Sequence, residues 1–214
     1  MTTTTLRAAA GALPEPAVAR IAAAVRAGQL VAFPTATVYG LGGSGLDPGA
    51  RGRLFEIKGR DSRKALPILV QSTHEARRWA VFGPLAEPLA ERFWPGPLTL
   101  VLAPTAEGRA LLSGESSSLA IRVPGHALTR GLIAASGVPW ATTSANPSGL
   151  PPLGDGRAVA AAFAGKVAYV IDDGEAPGME STVVAAQGAR ARILRAGALD
   201  RRQLAQAGVE LESE

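Results

Sequence analysis

Cysteine is absent from this 214-residue sequence, and histidine occurs only at His74 and His126. Without cysteine the chain can form no disulfide, thiolate nucleophile or cysteine metal site. So few histidines leave little material for a zinc site or a Ser-His-Asp triad. No apolar run reaches the ~18 residues of a membrane-spanning helix, and residues 1–5 lack the charged-then-apolar pattern of a secretory signal. We therefore expect a soluble, cytoplasmic protein with no membrane contact and no metal site of its own.

Lysine is also scarce, since only three of the 22 basic residues are lysines (Lys58, Lys64 and Lys166). The net charge of +4 and the pI of about 10.1 have two explanations. One is a genome whose composition favours alanine and arginine. The other is a basic surface or cavity that binds the phosphates of a nucleotide or of RNA. Both can hold together, and composition does not separate them.

Helix and strand signals alternate through much of the chain. Pro14 and Gly28 bracket an amphipathic repeat that predicts a helix. Residues 30–33 then predict a buried strand, and residues 35–43 predict a loop. The last part of the chain is richer in short strands with hairpin-like spacing. This order of elements favours a mixed β-sheet with flanking helices.

The same pattern predicts the domain organisation. The fold class is α/β, and 47% hydrophobic residues suffice for one large core. Neither an internal repeat nor a long Pro/Gly linker marks a boundary. We expect a single domain over residues 13–208, with flexible ends at residues 1–12 and 209–214.

A polar loop follows the apolar residues 138–141. Thr143-Ser144-Ala145-Asn146 supplies hydroxyls and an amide and leads into the turn sequence Pro147-Ser148-Gly149. A polar loop after a short strand is typical of a ligand site at the carboxyl edge of a sheet. Uncharged donors of this kind suit phosphate or ribose oxygens.

Lys58-Gly59-Arg60 follows a predicted helix and places two cations around a glycine. Such a pair can clamp a phosphate or carboxylate, and arginine can bind two oxygens at once. The alternative is a charged turn in solvent, because Asp61, Arg63 and Lys64 come next.

Arg122 lies within the apolar residues 119–123, which predict a strand. Alternation places Ala120 and Arg122 on one face of that strand. An arginine in such a stretch must meet an anion or solvent, because a buried unpaired charge is very costly. The alternatives are an anion site and an edge strand with one wet face.

The candidate residues share an affinity for oxyanions. They include no paired carboxylates, metal cluster or nucleophile. Such a set favours reactions that proceed by positioning and charge neutralisation, of which phosphoryl or nucleotidyl transfer is one class. The set comprises hydroxyls at Thr37, Ser118, Ser144 and Ser181, the amide of Asn146, and cations at Lys58, Arg60, Arg122 and Arg195.

Short motifs spread over most of the chain carry a resemblance. They are PTATVYGLG (34–42), KGR (58–60), FWPGPLT (93–99), AIRVP (120–124), SANPSG (144–149), ESTVV (180–184) and ILRAG (193–197). Together and in this order they resemble the YrdC family, the threonylcarbamoyl-AMP synthases that supply the activated group for t6A modification of tRNA. The chain ends soon after the last motif, so it resembles the short, single-domain form.

The resemblance implies a twisted mixed sheet around a basic cavity and a reaction of L-threonine, bicarbonate and ATP to threonylcarbamoyl-AMP and pyrophosphate. It implies Mg²⁺ bound through the ATP phosphates, and tRNA or double-stranded RNA and a downstream t6A transferase complex as partners. By motif it assigns L-threonine to Thr37, Arg122 and Ser181. It assigns ATP to Lys58, Arg60, Lys64, Ser118, Ser144, Asn146 and Arg195, with Lys58 and Arg60 as the catalytic residues.

Departures from the family pattern lie on the amino-acid side. Ala36 stands where the family usually has glutamate, Asp61 replaces a proline, and residues 65–71 lack a histidine. Two other functions are alternatives. One is a YciO-like paralogue that acts mainly as an RNA-binding or ribosome-associated protein, which the basic pI would suit. The other is a carbamoyl-transfer module of hydrogenase maturation, which normally accompanies zinc fingers that a cysteine-free chain cannot form.

Overall fold

The structure is a computed structural model that describes residues 2–59, 65–147 and 149–213. Within these ranges the chain forms ten β-strands: β1 (Thr4–Arg7), β2 (Val31–Phe33), β3 (Gly40–Ser44), β4 (Ile68–Leu69), β5 (Leu98–Leu102), β6 (Leu119–Arg122), β7 (Trp140–Ser144), β8 (Tyr169–Asp172), β9 (Thr182–Ala185) and β10 (Arg192–Arg195). A short 3-10 helix spans Glu107–Leu111. The α-helices are α1 (Glu15–Arg26), α2 (Pro48–Lys58), α3 (Thr73–Trp79), α4 (Ala86–Phe93), α5 (Ala127–Ser136), α6 (Gly156–Ala162) and α7 (Arg201–Ala205).

All of these strands join one sheet in the order β1-β8-β2-β3-β7-β4-β6-β5-β9-β10. Four neighbouring pairs are parallel (β1/β8, β2/β8, β4/β6 and β5/β9) and the other pairs are antiparallel. The predicted single α/β domain with a mixed sheet and flanking helices is therefore confirmed. Across the described part of the chain, no helix has the length and apolar character that would let it cross a membrane.

Local signals in the sequence account for several helix ends. Helix α1 begins after Pro14 and ends before Gly28, which has a φ of +78° that a residue with a side chain rarely adopts. Helix α5 likewise ends at Gly137, with a φ of +68°. The Asp200 side chain caps helix α7 by accepting a hydrogen bond from the Gln203 amide at 2.7 Å. These start and stop signals are short-range, so they are legible in the sequence.

Strand β3 overturns part of the predicted loop at residues 35–43. Gly40–Ser44 pairs antiparallel with both β2 and β7, close to the centre of the sheet. The glycines are required because the Phe33 ring lies against them: a Cβ added at Gly40 would be 2.7 Å from the ring, and one at Gly42 would be 2.9 Å from it. Glycine weakens strands in general, which is why the sequence pattern predicts a loop.

The chain ends take part in pairing. Strand β1 pairs parallel with β8 at one edge of the sheet, and Leu211 forms a bridge with Ala191 near the other. The flexibility expected of residues 1–12 and 209–214 stays a prediction, as does the domain boundary. The four consecutive threonines of residues 2–5 gave too weak a hydrophobic pattern to predict an edge strand.

Two hydrophobic clusters lie on opposite faces of the sheet. The smaller one joins α1 and α5 to the sheet through residues such as Ile21, Leu132 and Trp140. Phe33 and Leu69 belong to this cluster and also line the main cavity of the protein. Helices α1 and α5 therefore cover only part of this face, and the uncovered part forms the floor of the cavity.

Candidate functional site

The cavity has a volume of about 330 Å³ and is open to solvent on one side. Residues of eight strands line it (all but β1 and β8), together with the loop between β2 and β3 and the segment before β9. Several sequence-predicted site residues, from distant parts of the chain, line it together: Thr37, Arg122, Ser144, Ser181 and Arg195. Apolar lining comes from Phe33, Pro67, Leu69, Val183 and Leu194.

Arg122 points from β6 into this cavity and is only 6% exposed. Its Nε donates to the Gly96 carbonyl at 2.8 Å, and its Nη1 donates to Thr37 Oγ1 at 3.0 Å. Its Nη2 is buried and has no partner among the described residues. Burial, with a smaller contribution from the positive charge of Arg195, lowers the pKa of Arg122 to about 10. The wet edge strand that was one alternative is ruled out, because β6 lies between β4 and β5 in the interior of the sheet.

Thr37 is held in a turn that begins at Thr35. The Oγ1 atoms of Thr35 and Thr37 are 2.8 Å apart, and Thr35 Oγ1 also accepts from the Thr37 amide at 3.1 Å. The Thr37 carbonyl accepts from the Gly178 amide at 2.8 Å, which ties this loop to the segment before β9. Ala36, at the centre of the same loop, is exposed and lies against Gly125.

Arg195 lies at the cavity mouth and contacts the residues before β9. Its Nη2 donates to the Ser181 carbonyl at 2.8 Å and to Ser181 Oγ at 3.1 Å, while its Nε reaches the same carbonyl at 3.3 Å. Its Nη1 is 3.1 Å from Glu180 Oε2. Ser181 Oγ is also 2.9 Å from Thr99 Oγ1.

A β-bulge brings two consecutive side chains of β10 to the cavity. Ile193 pairs with Val184 and Arg195 pairs with Val183, so the register shifts at Leu194. In a regular strand neighbouring side chains point to opposite faces, whereas here both Leu194 and Arg195 line the cavity. The bulge therefore sets the position of Arg195.

Lys58 connects helix α2 to the polar loop after β7. Its Nζ donates to the Ser144 carbonyl at 3.0 Å and to the Asn146 carbonyl and Oδ1, each at 2.6 Å. Lys58 is only 7% exposed, so the alternative of a charged turn in solvent does not apply to it. Gly59 ends α2 with a φ of +52°.

The side chains of Ser144 and Asn146 bind each other in this structure. Ser144 Oγ donates to Asn146 Oδ1 at 2.6 Å, and Asn146 Nδ2 donates to the Pro147 carbonyl at 3.2 Å and to the Leu150 carbonyl. The predicted strand before this loop is displaced, because β7 begins at Trp140 and includes Thr143 and Ser144.

Among the described residues, Lys58, Ser118 and Asn146 do not line the cavity itself. Ser118 precedes β6, and its Oγ accepts from Gln187 Nε2 at 3.1 Å. Arg60 and Lys64, with Asp61, lie outside the described residues. Conversely, Thr99, Tyr39 and Glu180 line the cavity, although sequence reasoning assigned them no role. All three stood inside quoted motifs, which was the only signal for them.

Tyr39 closes the end of the cavity next to residues 173 and 174. Its hydroxyl donates to the Gly174 carbonyl at 2.8 Å and accepts from the Asp173 amide at 3.1 Å. Burial raises the pKa of the Tyr39 phenol. The hydroxyl therefore stays protonated near neutral pH and holds the turn after β8.

Comparisons with known proteins match most of the chain. The family model for Sua5, YciO and YrdC proteins, described as telomere recombination, matches residues 23–197. A threonylcarbamoyl-AMP synthase of Pyrococcus abyssi is 46% identical over 168 residues, which are 77% of this chain and 49% of that protein. The chain therefore belongs to the Sua5/YciO/YrdC family. It spans about half the length of this curated relative.

Solved structures show the same fold. The structure of P. abyssi Sua5 complexed with L-threonine superposes with a TM-score of 0.89 at 37% identity and covers 99% of this chain and 63% of that one. Escherichia coli YciO superposes with a TM-score of 0.85 at 21% identity, over 95% of this chain and all of that one. The YciO likeness bears on the fold alone.

Proposed function

We propose that this chain forms threonylcarbamoyl-AMP and pyrophosphate from L-threonine, bicarbonate and ATP. The observation that carries the proposal is Arg122, which lines a cavity together with Thr37 and Ser181 and whose buried Nη2 has no partner among the described residues. A desolvated guanidinium of this kind needs an anion, and a carboxylate matches its geometry. The relatives named threonylcarbamoyl-AMP synthase and the P. abyssi Sua5 complex with L-threonine support this choice of substrate.

The proposed amino-acid site combines this cation with hydroxyl and apolar groups. Arg122 binds the threonine carboxylate, and the hydroxyls of Thr37 and Ser181 bind its polar groups. Pro67 and Leu69 supply an apolar wall that suits the threonine methyl group. The segment at residues 65–71 lacks an imidazole, but its contribution here is apolar contact.

The proposed nucleotide site lies towards Arg195 and the loop after β7. Arg195 binds a phosphate group, and Lys58, Arg60, Lys64, Ser118, Ser144 and Asn146 complete the ATP site, with Lys58 and Arg60 as catalytic cations. Lys58 and Asn146 already hold the loop in place by their mutual contacts. Mg²⁺ bound through the ATP phosphates is part of this proposal, on the strength of family membership.

The chemistry needs positioning and charge neutralisation more than a protein nucleophile. The threonine amine captures carbon dioxide, derived from bicarbonate, as a carbamate. A carbamate oxygen attacks the α-phosphorus of ATP, the new P–O bond forms, and the bond to pyrophosphate breaks. Cations around the phosphates stabilise the charge that moves onto pyrophosphate.

An RNA-binding role in the manner of the YciO alternative is a second candidate, and the pI of about 10.1 is the observation in its favour. A direct assay distinguishes the two functions. The protein is incubated with ATP, bicarbonate and L-threonine, and threonylcarbamoyl-AMP is detected by mass spectrometry together with released pyrophosphate. Product formation is expected. Absence of product together with salt-sensitive binding of tRNA or double-stranded RNA would favour the second candidate instead.

The wider biological role follows from this product. As an activated carbamate it would serve t6A modification of tRNA in the cytoplasm, with a downstream transferase complex as the consumer. We propose these partners on the strength of family membership.

A further inference from the structure

The two cavity arginines differ in how their N–H groups are used. Arg122 has a buried nitrogen without a partner among the described residues, so at least one of its N–H donors is unsatisfied. In Arg195, by contrast, Nε, Nη1 and Nη2 all contact acceptors of Glu180 or Ser181, at 2.8 to 3.3 Å. A phosphate cannot form two parallel hydrogen bonds with the Arg195 guanidinium while these contacts persist.

Glu180 is the partner that a ligand can replace. The backbone carbonyl of Ser181 is fixed by the chain at the start of β9, whereas the Glu180 carboxylate is carried on a flexible side chain. The side chains of Arg195 and Glu180 are 44% and 39% exposed, respectively. Ion pairs at such exposure are weak, and a carboxylate and a phosphate fit the same guanidinium edge.

We infer that Glu180 is a positioning residue. Its carboxylate pairs with the Arg195 guanidinium until the nucleotide binds, and a phosphate group then takes its place. This inference rests on the proposed function, since it specifies how its nucleotide site is regulated. A weakly charged anion gains little from displacing a carboxylate, whereas a polyphosphate brings several negative charges. Glu180 therefore favours polyphosphate ligands over other anions, and its return to Arg195 assists departure of pyrophosphate.

The test measures binding of inorganic tripolyphosphate by calorimetry, without threonine or bicarbonate and at fixed salt. Glu180→Gln removes the competing charge, and we expect binding about 2- to 5-fold tighter than in the wild type. Glu175→Gln is the matched control, because it removes an exposed glutamate from the same segment between β8 and β9. The control variant should bind within about 1.5-fold of the wild type.

A double-mutant cycle shows whether the effect passes through Arg195. In the background of Arg195→Gln, the further change Glu180→Gln should leave the affinity for tripolyphosphate unchanged. Equal or weaker binding by the single variant Glu180→Gln would overturn the inference, because Glu180 would then organise Arg195 instead of competing for it. Absence of tripolyphosphate binding to the wild type would overturn it as well.

The outcome is separable from that of the proposed function. Tighter tripolyphosphate binding in a protein that forms no threonylcarbamoyl-AMP would support the exchange at Arg195 and refute the proposed reaction. Product formation without tighter tripolyphosphate binding would support the proposed reaction and refute the exchange at Arg195. In an active enzyme, Glu180→Gln should lower KM for ATP and leave KM for threonine unchanged.

Discussion

Arg122→Met should leave the ligand-free protein at least as stable as the wild type, although Arg122 is buried. Burial lowers its pKa from the ordinary value of an arginine to about 10, which corresponds to about 3 kcal/mol for keeping the guanidinium charged in its site. The substitution also removes the donor to the Gly96 carbonyl, and an unpaired buried carbonyl costs about 1–3 kcal/mol. The loss of this hydrogen bond offsets part or all of the gain from removing the buried charge. We therefore expect the free energy of unfolding to rise by between zero and about 2 kcal/mol.

Thermal unfolding followed by circular dichroism measures this change, since a gain of 2 kcal/mol in a domain of this size raises Tm by about 4–8 °C. Arg20→Met, which removes an exposed arginine from α1, is the control and should change the stability by less than about 0.5 kcal/mol. Added L-threonine should raise Tm of the wild type and of the control, but not of the Arg122 variant. A loss of more than about 2 kcal/mol would refute the reasoning, because the cation would then stabilise the empty site. A threonine-dependent shift in the variant would remove Arg122 from the carboxylate site.

Two further predictions concern the walls of the cavity. Tyr39→Phe removes a hydroxyl that binds Gly174 and Asp173, and it should lower the free energy of unfolding by about 1–2 kcal/mol at pH 8. Because the pKa of Tyr39 is raised above its ordinary value of 10.0, this contribution is complete below pH 10 and is lost as the pH rises further. Denaturant titrations at pH 8 and pH 11 should therefore show the difference between wild type and variant shrinking, and a constant difference would contradict the assignment. Gly197→Ala places a Cβ 2.5 Å from the Glu180 carbonyl, so it should displace the contacts of Arg195 and weaken tripolyphosphate binding by at least about 5-fold. Its control is Gly131→Ala in α5, where the added Cβ meets nothing within 4 Å. This control substitution should raise the free energy of unfolding by about 0.5–1 kcal/mol. Unchanged affinity in the Gly197 variant would show that residues 180 and 181 do not hold Arg195 in place.

Much of the fold was predictable because its signals are short-range. Proline, glycine and capping residues mark the helix ends, and runs such as residues 98–102 mark buried strands. Strand β3 was missed because its glycines make room for the Phe33 ring of the neighbouring strand β2, a contact between strands. No local sequence pattern predicts which aromatic ring will pack against a glycine.

The candidate site was predictable as a set of residue types, but not as a set of contacts. Arg122 could be singled out because one cation in an apolar strand must find an anion or solvent. That Lys58 binds the loop after β7, or that Glu180 binds Arg195, depends on the sheet order and on the bulge at Leu194. Such pairings join residues far apart in the chain, so the spacing of motifs in the sequence does not reveal them.

The polar loop at residues 143–146 illustrates what the structure adds. Its donors suited any phosphate when only the sequence was considered. In the fold the Ser144 hydroxyl and the Asn146 amide donate to acceptors inside the loop, and Lys58 donates to the Ser144 and Asn146 carbonyls. A phosphate at this loop must therefore exchange existing hydrogen bonds, just as one at Arg195 must exchange Glu180. Arg195, Ser144 and Asn146, on the proposed nucleotide side, are hydrogen-bonded within the protein, whereas Nη2 of Arg122, on the proposed amino-acid side, has no partner among the described residues. Under the proposed function, we therefore expect Arg122 to contribute much of the free energy of threonine binding, and the exchange at Arg195 to provide selectivity for polyphosphate.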